Sequence, residues 1–493
     1  MSRYDYDVAV LGAGAAGLTA AGIAANFGAK TLMVERDRLG GDCTWTGCVP
    51  SKTILKAAKV THQTRHASRY GLADHEPAVP FERVIAHVHA VRQEVYHDAD
   101  DPAIYEGFGV DVRHGSARFT GPHHLLLTGA DGGEAVVSFR LAIIATGGRA
   151  APPPIPGLDG VGYLTNETLF EIGRQPQRLL VLGAGPIGME MGQAFQRLGS
   201  AVTVVDRGDR PLRRDDPDHA RRLQAVLEEE GVRFCFGASV ERVEEADGEK
   251  RLHVTVGGEA RVLTGDALLV ATGRRPNTED LGLAEAGVVF TERGIRVDDR
   301  CQTSQKHVWA VGDVTGEYQL THMSEHMAKV ATSNAVLKVP ATVDRRHVPW
   351  TTFADPELAH LGASEQELRE RGERYEVYRF PYAKVDRAVT ESDAVGEIKV
   401  FATKWRGKIL GASVLGDRAG ELISLYAVAM RNGVTLRSIA DTIHPYPTYG
   451  LGARRAADQW YARKLYPRAV RLLQRVRGFR GTVPPPPDPD RIV

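Results

Sequence analysis

Two of the chain's four cysteines, Cys43 and Cys48, lie in the stretch GGDCTWTGCVPSK. Cysteines this close suit a metal site, a structural pair or a redox couple. Four intervening residues are the wrong spacing for a CxxC zinc knuckle, and no second knuckle follows. Four cysteines in 493 residues do not make a disulfide scaffold. A thiol that exchanges or binds a soft ion must ionise, which nearby positive charge favours. Lys52, four residues after Cys48, would share a helical face with it. Taken alone, the pair also reads as two cysteines that are neighbours by chance.

The elements around the pair narrow the choice. Asp7–Leu11 is an apolar, β-rich run, followed by Gly12-Ala-Gly14-Ala-Ala-Gly17 and a helix-forming stretch through Phe27. Thr31–Val34 is a second apolar run, ending in Glu35. The layout recurs at Arg178–Leu182, Gly183-Ala-Gly185-Pro-Ile-Gly188, a helix to Leu198, and Ala201–Val205 ending in Asp206. Each acid comes 18 residues after the third glycine. In such a unit the first glycine turns, the second lets backbone approach a pyrophosphate, and the third packs helix on strand. The helix N-terminus offers N–H groups to phosphate and the acid takes a ribose diol. Two complete units imply two bound dinucleotides.

Two further apolar strands have matching ends, LAIIATGGRA (with Thr146 and Gly147) and LLVATGRRPN (with Gly273), and VWAVGDV ends at Asp313. APPPIPG after Ala150 reads as a crossing between domains. From about Val348, short alternating segments predict an antiparallel sheet. The fold class is therefore α/β: two Rossmann-like domains plus a C-terminal α+β domain with an antiparallel sheet. The boundaries expected are 1–150 and 276–345 for the first dinucleotide domain, 151–275 for the second, 346–460 for the C-terminal domain, and 461–493 for a basic helix and Pro-rich tail.

Apolar content of 43%, charged content of 25% and zero formal net charge describe an ordinary globular protein. They argue against a nucleic-acid partner or a whole-protein membrane field, but not against a local patch. With no basic n-region and apolar core at the N-terminus, the reading is cytoplasmic.

Together these motifs resemble the pyridine nucleotide-disulfide oxidoreductases, over roughly residues 5–460. The resemblance implies FAD on the first unit, held by Gly12, Gly14, Gly17, Glu35, Gly41, Thr146, Gly147 and Asp313, with His322 beside the flavin. It implies NAD(P)H on the second, with Gly183, Gly185, Gly188, Asp206 and Gly273. It also implies a homodimer with each active site completed across the interface. Cys43 and Cys48 become a redox-active disulfide, Cys48 facing the flavin as a thiolate and Cys43 meeting the substrate. Lys52 pairs with Glu190 near the flavin.

One stretch departs from the dithiol-handling members, which carry a His-Pro-Thr segment with a Glu four residues after the Pro. Here TIHPYPTYGL puts Tyr446 in the histidine's place and Leu451 in the glutamate's, with His444 two residues away. A tyrosine with a pKa near ~10 is a poor base at neutral pH. PYPT resembles the Pro-Tyr-x-Thr of mercuric reductases, although their vicinal cysteine pair near the C-terminus is missing. A second role for Tyr446 is packing at the dimer interface. The expected activity is mercuric-reductase-like, with a metal ion or other small acceptor. The alternatives are a dihydrolipoamide dehydrogenase and a flavin-based redox sensor.

Asp206 suits NADH, whereas Arg207 and Arg213 suit the 2′-phosphate of NADPH, so both nicotinamides stay open. Cys235 and Cys301 read as core residues, and His62 with His66 as helix-surface residues. Leu465, Ala469, Leu472, Val476 and Phe479 recur at helical spacing amid many arginines, with Pro467 opening the helix. That helix either packs on its own dimer or meets a membrane or protein partner.

Overall fold

The computed structural model describes residues 4–482. The chain forms two compact units, one from Met1–Lys56, Pro80–Pro176 and Ala267–Asp344, the other from Ala57–Val79, Gln177–Asp266 and Arg345–Val493. The PPPPDPD tail lies outside the described residues.

In the first unit, strand Tyr6–Leu11 pairs in parallel with Thr31–Glu35 on one side and Glu134–Ile144 on the other. Val110–Gly121 and Val308–Ala310 extend the parallel sheet at its two edges. Central strands covered on both faces are apolar throughout, and Val8, Ala9, Val10 and Leu11 are accordingly all buried. Helix Ala15–Asn26 packs against helix Thr321–Thr332. Parallel strands end on the same edge of the sheet. That edge therefore collects the turn at Gly12, the acid Glu35, the Thr146-Gly147 turn and the approach to Asp313. Val110–Gly121 and Glu134–Ile144 also run on into an antiparallel ribbon with His124–Gly129, which the sequence reading lacked.

In the second unit, Arg178–Leu182, Ala201–Val205 and Arg233–Cys235 are parallel, with helix Pro186–Leu198 between the first two. An antiparallel meander, Ala238–Ala246, Glu249–Val256 and Glu259–Gly265, follows. The C-terminal part holds a five-stranded antiparallel sheet in the order Pro349–Thr352, Glu357–Gly362, Ile409–Gly416, Glu397–Thr403, Tyr375–Pro381. Helices Ala419–Arg431 and Gly450–Trp460 bury Ile423, Tyr426, Ala453 and Ala457 in its core. The architecture matches the expected fold class. Within this unit Arg197, 5% exposed, binds Glu230 at 2.7 Å and Asp355 at 2.7 Å, so a buried charge is paired on two sides.

Among the described residues, no helix is long and apolar enough to cross a membrane.

Candidate active site

The two glycine turns are built alike. A Cβ on Gly17 would lie 1.8 Å from the Gly12 carbonyl oxygen, and one on Gly188 would lie 1.9 Å from that of Gly183. Only glycine lets each helix approach its strand so closely. Helices Ala15–Asn26 and Pro186–Leu198 start after Gly14 and Gly185 with no side-chain cap, leaving first-turn N–H groups for a ligand or solvent. Glu35 accepts hydrogen bonds from the Ala13 N–H (2.7 Å) and the Asp37 N–H. Asp206 does the same for Ala184 (2.8 Å) and Gly208 (2.6 Å). Each acid is thus locked beside its turn and keeps lone pairs for a ribose diol. Arg207 and Arg213 are exposed after Asp206.

Gly40–Gly41 packs directly on the first turn: a Cβ on Gly41 would meet the Gly14 Cα at 2.8 Å. Thr146 and Asn277 exchange hydrogen bonds between side chain and backbone (2.8 and 2.9 Å), which fixes the Thr146-Gly147 turn. Space beside Gly147 is open. Asp313, which burial pushes up and Arg274 pulls down, has a net raised pKa. His322 is exposed in the first turn of helix Thr321–Thr332. Uncapped N–H groups, a ribose acid and an open edge fit a dinucleotide such as FAD on the first turn. The second turn offers the same parts to a nicotinamide dinucleotide. Gly273 is exposed, its carbonyl accepting from the Ala151 N–H.

Cys43 lies in the short helix Gly41–Trp45, and Cys48 opens the long helix Cys48–Arg65. Both are free thiols. The loop that carries them is clamped. Thr44 donates to Asp100 at 2.6 Å, the Trp45 indole to the Leu39 carbonyl at 2.7 Å, and buried Arg92 to the Trp45 carbonyl at 2.7 Å. Asp42 is held by Arg274 at 2.6 Å and Asn166 at 3.1 Å, and by the Thr46 hydroxyl.

The proton distribution in the pair is asymmetric. Cys43 donates to Cys48, and this bond is the largest effect pulling the Cys48 thiol down to about 6. Thr321, whose hydroxyl is 3.3 Å from the Cys48 sulfur, and the Lys52 ammonium add to it. The N-terminus of the long helix also favours a thiolate. The same bond and burial push Cys43 well above the ordinary thiol range. The surroundings of the pair therefore favour a thiolate on Cys48 over one on Cys43.

Lys52 also donates to Ser51 at 3.3 Å. Glu190, buried in helix Pro186–Leu198, accepts from the Phe353 N–H at 2.8 Å. Tyr446 is 69% exposed, and its hydroxyl bonds Asp386, which raises its pKa above the usual 10. His444 turns to the Thr442 carbonyl of its own loop, and Leu451 is buried.

With this geometry the comparisons with known proteins agree. The pyridine nucleotide-disulphide oxidoreductase profile matches residues 6–328, and the dimerisation domain of the same family matches residues 348–456. The chain belongs to the pyridine nucleotide-disulphide oxidoreductase family. It is 35% identical over 458 residues to a mercuric reductase of Lysinibacillus sphaericus, covering 92% of this chain and 82% of that protein. It is 36% identical over 479 residues to a dihydrolipoyl dehydrogenase of Thermus scotoductus, covering 95% and 99%. A solved Cu(II) complex of the HOCl-induced flavoprotein disulfide reductase RclA from Escherichia coli superposes with a TM-score of 0.81 at 29% identity, covering 93% and 99%. LpdA from Mycobacterium tuberculosis gives 0.85 at 28%, covering 92% and 99%. The chain is thus an oxidoreductase of this family, and its dimerisation domain supports a homodimer.

Thr321, Asp42, Asn166 and Arg274 escaped the sequence reading. Thr321 is 273 residues from Cys48, and nothing local announces the contact. Cys235 is only half-buried, and Cys301, though fully buried, sits in a turn with φ 62° and not in a strand.

Proposed function

We propose that the chain is an FAD-dependent NAD(P)H oxidoreductase of mercuric-reductase-like chemistry, whose Cys43–Cys48 pair passes electrons to a soft metal ion or another small acceptor. FAD, held by the first glycine turn, Glu35, the Thr146-Gly147 turn and Asp313, supplies when bound the two-electron relay between nicotinamide and the disulfide. The second turn, with Asp206, Arg207 and Arg213, orients NAD(P)H. Cys48 holds its negative charge through the Cys43 proton, the Thr321 hydroxyl and Lys52. Cys43 gives up its proton when it binds the acceptor or re-forms the disulfide. A divalent soft ion favours paired thiolates and needs no base on the acceptor itself.

The observation that carries this reading is Tyr446. Its hydroxyl is tied to Asp386 and held above its ordinary pKa, so at neutral pH it can donate a hydrogen bond but cannot take the proton of a dithiol. In a homodimer it would serve the partner's cysteine pair. The copper ion in the RclA complex is consistent with a metal acceptor at such a pair. The similar identity to dihydrolipoyl dehydrogenases favours dithiol oxidation as the second reading.

Anaerobic stopped flow separates the two. The enzyme is reduced with NADPH or NADH, then mixed with Hg(II), Cu(II), lipoamide or a quinone. Reoxidation by a metal ion at least about a hundredfold faster than by lipoamide, and lost in Cys48→Ser, is the expected result. Equal or faster reoxidation by lipoamide would replace this reading with the second one. Unchanged rates in Cys48→Ser would make the cysteine pair a bystander.

A further inference from the structure

The proposed redox site uses nothing after residue 460, yet a strongly amphipathic helix lies there. Helix Tyr466–Arg477 has Pro467 in its first turn and ends at Gly478 in the left-handed conformation. Leu465, Tyr466, Leu472, Leu473, Val476 and Phe479 are each 39–67% exposed. Isolated exposed apolar residues are ordinary, but six within fifteen residues form a patch. At 100° per residue, Leu465, Leu472, Leu473 and Val476 fall on one side of the helix and Arg471 and Arg475 on the other. Phe479 lies beyond the helix end, a small correction to its sequence-based place within the helix.

The charge pattern is one-sided. Between residues 459 and 487 there are seven Lys/Arg and no Asp or Glu, in a chain whose formal net charge is zero. Two of the seven hold the root of the segment. Arg463 donates to the Val377 carbonyl at 2.7 Å, and Lys464 pairs with Glu376. The remaining five are Arg468, Arg471, Arg475, Arg477 and Arg480.

We infer that this segment docks the protein on an anionic phospholipid surface. An amphipathic helix with a cationic polar face places its apolar side at the acyl boundary while long arginine stems reach phosphates. Each basic side chain near such a surface strengthens binding about fivefold. A second copy of this chain fits less well: it would carry the same excess of Lys and Arg and supply no anionic surface, and the match to the family's dimerisation domain ends at residue 456, before the helix.

The test uses the FAD-loaded full chain in co-sedimentation with phosphatidylcholine vesicles, alone or with about one third phosphatidylglycerol. The expected result is at least about tenfold more binding to the anionic vesicles, abolished by about 0.5 M salt. A chain ending at residue 464, and separately Leu472→Glu with Val476→Glu, should lose that binding and keep full reduction by NAD(P)H. Arg471→Glu with Arg475→Glu should weaken it by at least about tenfold. The idea is overturned if the full chain ignores anionic vesicles or binds neutral ones equally well. It is also overturned if the variants bind as the parent does. If they instead convert a dimer to a monomer in light scattering with no vesicle effect, the apolar face is covered by a second copy.

Discussion

The asymmetry of the cysteine pair makes a quantitative prediction. Removing the Cys43 proton donor as Cys43→Ala leaves Cys48 with only Thr321, Lys52 and the helix N-terminus to hold its charge. A hydrogen bond to a charged acceptor is worth about 1.5–3 kcal/mol, and 1.4 kcal/mol is about one pKa unit. Cys48 is exposed, so solvent screening selects the lower end. The Cys48 pKa should rise from about 6 by about one unit. Cys43→Ser keeps a donor at that position and should stay within about half a unit of the parent. Thr321→Val and Lys52→Met should raise it by less than Cys43→Ala, in that order, because their effects on Cys48 are smaller in that order. The assay is a pH titration of the long-wavelength thiolate–flavin absorbance in FAD-loaded protein, with the two-electron-reduced parent as reference. A Cys43→Ala midpoint at or below that of the parent would refute the argument. So would a Cys43→Ser midpoint as high as that of Cys43→Ala, since the sulfhydryl donor would then not be the cause.

Three further outcomes follow from the packing. Gly188→Ala must relieve a 1.9 Å approach to the Gly183 carbonyl, an overpacking cost of about 1–3 kcal/mol; it should retain FAD yet slow reduction by NAD(P)H about tenfold, whereas Gly17→Ala should lose FAD on purification. Burial pushes Asp215 up to about 7 from 3.8, its partner being the Trp350 indole at 2.9 Å. A raised carboxyl is stabilising only while protonated, so its contribution is complete below the unfolded pKa and lost as pH rises towards 7. Urea unfolding should therefore find Asp215→Asn more stable than the parent near pH 8, by on the order of 3 kcal/mol, and the gap should close near pH 4; a gap independent of pH would contradict this. Arg197→Met leaves the largely buried Glu230 side chain without its cation, while Asp355 keeps Lys59 at 3.1 Å, and should cost about 3 kcal/mol in the same assay; a loss under about 1 kcal/mol would mean that water reaches Glu230.

Much of the site is local and could be read directly. The spacing of Gly12, Gly14, Gly17 and Glu35, and its repeat at Gly183–Asp206, is dictated by one strand, one turn and one helix. Backbone sterics inside about thirty residues suffice to specify it. The C-terminal antiparallel sheet was likewise announced by alternation. Pro467 was legible as a helix start for the same reason: it acts within its own turn.

What stayed hidden depends on contacts made across hundreds of residues. That Val110–Gly121 and Glu134–Ile144 run on into a ribbon with His124–Gly129 is a pairing choice, and alternation does not name the partner. Cys43 and Cys48 were evident as a pair, and the family resemblance already named Cys48 as the thiolate, but the neighbours that favour it were not evident. Thr321, 3.3 Å from the Cys48 sulfur, comes from a helix 273 positions away, and Arg274 ties Asp42, next to Cys43, into an ion pair. The exposure of Leu472 and Val476 is of the same kind. Periodicity shows that a helix has an apolar side, and only the tertiary structure shows how far the described residues leave that side exposed.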